Sequence, residues 1–153
     1  MAQELVALGY FVSTVRPLAM DNRTIGRGMA IMLTVTGMAH FIFPAPIDGI
    51  VPAFLPGEPR FWTYISGVAE LVVAAMLFVP MDKSFAGKPI RLWGVYSAAA
   101  LFLAVYPANI NMAIEWSSRP MPEPLFAIAR LPLQFGLFYW CWALAKAMKQ
   151  PRA

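Results

Sequence analysis

Five side chains in this chain have the types and spacing to move a proton or hold a polar ligand inside an otherwise apolar sequence: His40, Glu70, Asn109, Arg130 and Gln134. Glu70 stands near the middle of RFWTYISGVAELVVAAMLFVP, a stretch long enough to cross a bilayer with one carboxylate in it. An ionisable group at that depth is costly in hydrocarbon, so it turns toward a partner or a cavity. At helical spacing Thr63, Ser66, Gly67, Glu70 and Ala74 share a face, while Val68, Leu71, Val72, Met76 and Phe78 lie elsewhere. The small, polar face is therefore expected to point inward. His40 is the single histidine. With Glu70 it forms the pair expected to handle protons, and Asn109, Arg130 and Gln134 are expected to bind a cofactor as donors to carbonyl oxygens. Two uses of these five stay open at this point, chemistry and structural glue between helices.

The segments that must position them are membrane-length. Of 153 residues 59% are hydrophobic and 13% charged, which fits an integral membrane protein better than an average globular domain. We expect an all-α fold: an integral membrane four-helix bundle forming a single transmembrane domain over 1–153. Its spans are expected at about 25–43, 61–80, 92–112 and 125–148, with an N-terminal interfacial helix at about 4–20. The formal net charge of +4 does not imply nucleic acid, because the basic residues flank apolar segments instead of forming a stripe. Nine of the twelve, Arg16, Arg23, Arg27, Lys83, Lys88, Arg91, Lys146, Lys149 and Arg152, fall on one side of the four spans, against Arg60, Arg119 and Arg130. Both termini are therefore expected in the cytoplasm. Lone Cys141 has no internal disulfide partner and reads as a small core residue. No ligand spacing suggests a metal.

The span limits put all five polar residues in the outer half of the bilayer. Glu70 lies roughly 14 Å in from its end at about 1.5 Å per residue. Pro107 and Pro132 fall at the same depth, each removing a helical hydrogen bond and leaving the carbonyls of Leu103 and Ile128 without their usual donors. This arrangement predicts an outer-half polar pocket above an apolar inner half, with Glu70 and Arg130 as a buried pair. The loop PAPIDGIVPAFLPGEP is expected to pack as an ordered lid over its mouth, since its apolar residues would otherwise face water.

GMAHFIFP, IVPAFLP, SGVAEL, YPANINMA and ARLPLQ, in this order, resemble the DoxX-like family of small four-helix bacterial membrane proteins over about residues 26–147. The resemblance implies a place in the bacterial cytoplasmic (inner) membrane and an association with quinone-linked redox work. The family's polar motif positions fall on His40, Glu70, Asn109, Arg130 and Gln134. On this reading the chain is a small membrane subunit with quinone as cofactor, and its partners are the lipid bilayer and other membrane or redox subunits. The alternatives are a non-catalytic assembly subunit or a binder of another small hydrophobic molecule.

Overall fold

The computed structural model describes residues 22–149, so the expected interfacial helix at 4–20 lies outside the described residues. Helix α1 (Asn22–Ile42) runs toward a short α2 (Pro44–Asp48), α3 (Pro59–Phe78) returns, α4 (Ile90–Glu115) goes out again, and α5 (Glu123–Lys149) comes back. Proline sets two of these starts. Pro44 and Pro59 each occupy the first helical position, where a missing N–H costs nothing. By contrast Pro107 and Pro132 sit within α4 and α5, which run through them.

The long helices pack in succession, α1 on α3, α3 on α4 and α4 on α5, with α5 also touching α1. Between α3 and α4 the chain makes a minimal antiparallel hairpin, β1 (Ser84–Phe85) with β2 (Lys88–Pro89). Ala86 and Gly87, at φ 50° and 73°, form its two-residue turn, a conformation Gly87 adopts without strain.

At the end of the stack holding the N-terminus of α1 and the C-terminus of α5, the core is apolar: Met29, Ala30, Leu33, Val73, Ala74, Leu77, Val95, Ala98, Phe102, Cys141 and Leu144. Cys141 is thus a core residue. One polar group departs from the expected apolar inner half. Arg91 is buried, with Nε donating to the Val79 carbonyl at 3.0 Å and Nη2 to Phe78 at 3.4 Å. The end of α3 leaves carbonyls without helical donors and Pro80 follows directly, so a cation there answers both the hydrogen-bond deficit and the helix dipole.

Two helical stretches, Pro59–Phe78 and Ile90–Ser118, are long and apolar enough to cross a membrane. α1 and α5 are of similar length but carry more polar residues, among them Arg27, Thr34 and Thr36 in α1 and Arg130 and Gln134 in α5. The inward face expected for α3 holds for Thr63, Gly67 and Ala74, which are buried; Val73 and Leu77 join them, while Val68, Val72 and Phe78 are exposed.

Candidate proton-handling site

Where α1 crosses α3, two glycines let the backbones close. A Cβ built on Gly67 would stand 2.7 Å from His40 Cβ and 2.8 Å from a Phe41 ring carbon, and one on Gly37 would stand 3.1 Å from the Gly67 carbonyl. That approach is what puts an imidazole against a helix backbone. His40 Nδ1 lies 2.7 Å from the Thr63 carbonyl, and because a carbonyl only accepts, Nδ1 carries the hydrogen. Nε2 then faces the Glu70 carboxyl, 3.4 Å from Oε1. The other carboxyl oxygen takes a short hydrogen bond from the Thr36 hydroxyl, one turn before His40 on the same face.

This frame accepts a proton at either of two places. With imidazolium and carboxylate, Nε2 donates to Oε1; with neutral imidazole and carboxylic acid, Oε1–H donates to Nε2. In both states Nδ1–H still bonds Thr63 and Thr36 still bonds Oε2, so transfer asks only that the 3.4 Å between Nε2 and Oε1 shorten to hydrogen-bond length. The two side chains each keep 13% exposure, and Thr36 is exposed on the outer face of the helices.

A latch lies above this pair. Asp48, at the end of α2, accepts from the Thr63 hydroxyl at 2.6 Å and from Arg60 Nε at 2.8 Å. Together they hold the Asp48 carboxyl below the usual aspartate range, the Thr63 bond contributing most. Arg60 also lies over the Tyr64 ring, which stacks on Phe41. Trp62 Nε1 donates to the Pro56 carbonyl at 2.8 Å, tying down the far end of the loop. The Pro-rich segment is therefore ordered, with Pro52 buried, but its helical part packs on α1 and α3 and Phe54 stays 73% exposed.

The remaining three residues form a separate line between α4 and α5. Arg130 Nε donates to Asn109 Oδ1 at 3.2 Å, Asn109 Nδ2 to Gln134 Oε1 at 3.3 Å, and Gln134 Nε2 to the Phe102 carbonyl at 2.5 Å. Asn109 and Gln134 are buried, whereas Arg130 is exposed. The acceptor in α4 is the Phe102 carbonyl, one residue before the Leu103 carbonyl that Pro107 deprives of its donor.

The expected Glu70–Arg130 pair does not form: Glu70 pairs with His40 and Arg130 bonds Asn109. The physical reason is topological, since Glu70 belongs to the α1–α3 contact and Arg130 to the α4–α5 contact. Sequence reasoning also missed Thr36, Asp48 and the part Arg60 plays. Thr36 was visible as the residue four before His40, and Thr63 as seven before Glu70 on one face. Asp48 carried no such signal, because a loop contact across twelve residues has no period. Among the described residues no three His, Cys, Asp or Glu side chains gather to hold a metal ion.

Residues 29–145 match a family described as "Domain of unknown function (DUF8561)", and the chain belongs to that family. No curated protein and no solved structure matches it.

Proposed function

We propose that this member of a family without an assigned activity is a multi-pass protein of the bacterial cytoplasmic membrane, both termini inside, serving a quinone-linked redox system through His40 and Glu70. The observation that carries the reading is the single-proton frame of Thr63, His40, Glu70 and Thr36 between two glycine-closed helices. Quinone reduction takes up protons with its electrons, so an imidazole and a carboxyl held side by side suit it. The apolar exterior supports the membrane part: Ile31, Val35, Ile65, Val72, Leu103, Ile110, Leu133 and Trp142 all face outward. A lipid-soluble headgroup arriving from the bilayer would meet Thr36 first and then the carboxyl. The electrons come from a partner, since Cys141 alone has no dithiol chemistry.

Asn109 and Gln134 take a different part from the one their sequence positions suggest. Their amides are buried and engaged with each other and with Phe102, which makes them a tie between α4 and α5. That closed line is also what favours the second reading, an assembly subunit whose polar groups only hold helices together.

The separating experiment is turnover and quinone retention in purified membranes. His40→Ala and Glu70→Gln are expected to abolish both while folded protein remains in the membrane. If both variants keep full turnover, the proton-handling reading fails and the assembly reading stands. A phosphatase fused after Arg152 is expected to be silent, and periplasmic activity of that fusion would overturn the orientation.

A further inference from the structure

We infer that the opposite end of the molecule holds a binding site for an anionic phospholipid of the inner leaflet. A groove of about 360 Å³ opens between the end of α3, the hairpin and the start of α4, lined by Met76, Phe85, Ile90, Trp93 and Ser97. Its wall is nearly all apolar, with Ile90, Trp93 and Ser97 spaced along one side of α4, so it suits a hydrocarbon chain lying along the helix. The indole of Trp93 is fixed there, Nε1 donating to the Phe85 carbonyl at 3.0 Å, which leaves the ring as wall and closes the hairpin onto the helix.

Charge decides which hydrocarbon ligand fits. Lys88 Nζ stands 5.3 Å from the centre of the Trp93 ring, at the mouth of the groove. Lys83 is adjacent, its backbone carbonyl accepting from the N–H of Ile90 at 3.0 Å. Among the described residues neither ammonium belongs to an ion pair, and both side chains are exposed. An exposed ammonium over the ring that walls an apolar slot, with a second lysine in the adjoining turn, on the side that the basic residues place in the cytoplasm, matches a phosphate headgroup over an acyl chain. The hairpin gives the site its shape: Ala86 and Gly87 reverse the chain within two residues and bring Phe85 and Lys88 to the same mouth.

The inference rests on the membrane reading above but not on quinone chemistry. The test is native mass spectrometry of the full chain with dioleoyl phosphatidylglycerol and dioleoyl phosphatidylcholine, which share their chains and differ in headgroup charge. Preferential retention of phosphatidylglycerol is expected. Lys83→Gln and Lys88→Gln should each lower that preference about five-fold, the worth of one lysine near an anionic surface. Ser97→Phe, which fills the slot, should reduce retention as well. Lys146→Gln removes a charge from the same side, where it lies over Trp142 of α5, and is expected to leave the preference standing; an equal loss there would show general attraction and overturn the site. Retention of both lipids alike would overturn it too. Retention of neither would overturn the site and leave the membrane reading to the fusion test above. A photo-crosslinking residue in place of Met76 is expected to capture lipid, and capture of residues 1–21 instead would assign the groove to the chain's own N-terminal segment.

Discussion

The two polar lines at one end of the stack are built from similar raw material and come out differently. Between α1 and α3 the members are a mostly buried imidazole and carboxyl with an exposed hydroxyl, joined across a glycine contact. Between α4 and α5 they are two buried amides ending on a backbone carbonyl, with an arginine at the exposed end. Amides do not titrate, so the second line has a single protonation state and can only hold. The first has two states of similar hydrogen bonding and can pass something on. The lesson is that hydropathy identifies the costly polar groups, whereas the identity of the neighbouring helix decides which partners they meet.

The comparison is broken most severely at the glycine contact. Gly67→Ala places a Cβ where His40 Cβ already stands, so α1 and α3 must separate; a loss of about 1–3 kcal/mol is expected from overpacking, with the His40–Thr63 bond lost as well. Gly136→Ala in α5 meets no atom within 4 Å and is the control, expected to be neutral or stabilising by up to about 1 kcal/mol. Thermal unfolding in detergent measures both. Equal melting temperatures for the two variants would mean that the crossing is looser than described.

Next in size is the amide line. Gln134→Leu leaves buried Asn109 Nδ2 without its acceptor and removes the tie to Phe102, which should cost about 1–3 kcal/mol. Per folded molecule, turnover is expected to be unchanged. Glu70→Gln gives the opposite pattern, little loss of stability and complete loss of turnover, because an amide keeps a partner for Thr36 but cannot carry the proton. Finding the same pattern in both variants would erase the distinction between the two lines.

Much of this was legible in advance. The four long helices follow from hydropathy and helical spacing alone. Partner choice was not legible. Glu70 and Arg130 are the obvious opposite charges by depth, yet which helices touch depends on Gly37 and Gly67, whose closeness is a three-dimensional fact that no period announces. Arg91 misled for a related reason: as one of nine basic residues it argues orientation, while its own side chain is buried against the end of α3.

A smaller effect sharpens the contrast within the α1–α3 region. Thr36→Val removes the hydroxyl from Glu70 Oε2 while keeping the shape of the side chain. A neutral donor of this kind contributes about 0.5–1.5 kcal/mol, and the site should keep partial turnover, since His40 still meets Oε1. Complete loss of turnover in Thr36→Val would promote the hydroxyl from a positioning group to a member of the proton path.

The smallest expected effect concerns the latch, and it runs with pH. Asp48 is held below the usual aspartate range by the Thr63 hydroxyl and by Arg60, so its folded pKa lies under its unfolded one. A depressed carboxyl contributes stability that is present above the unfolded value and is lost as pH falls through the folded value. The loop from Pro44 to Pro59 should therefore stay closed at neutral pH and loosen from about pH 4 downward. Limited proteolysis of that loop in detergent across pH 3 to 6, with an acid-active protease, reads the opening directly. Asp48→Asn has no carboxyl to titrate, so its cleavage rate, once corrected for the protease's own pH dependence, should be flat and already raised at pH 6. Because Asp48 reaches the proton pair only through Thr63, whose carbonyl is held in helix α3 whatever its hydroxyl does, the same variant should leave turnover at neutral pH intact. An acid profile in Asp48→Asn identical to that of the parent chain would show that another group opens the loop, and lost turnover would place the latch inside the site.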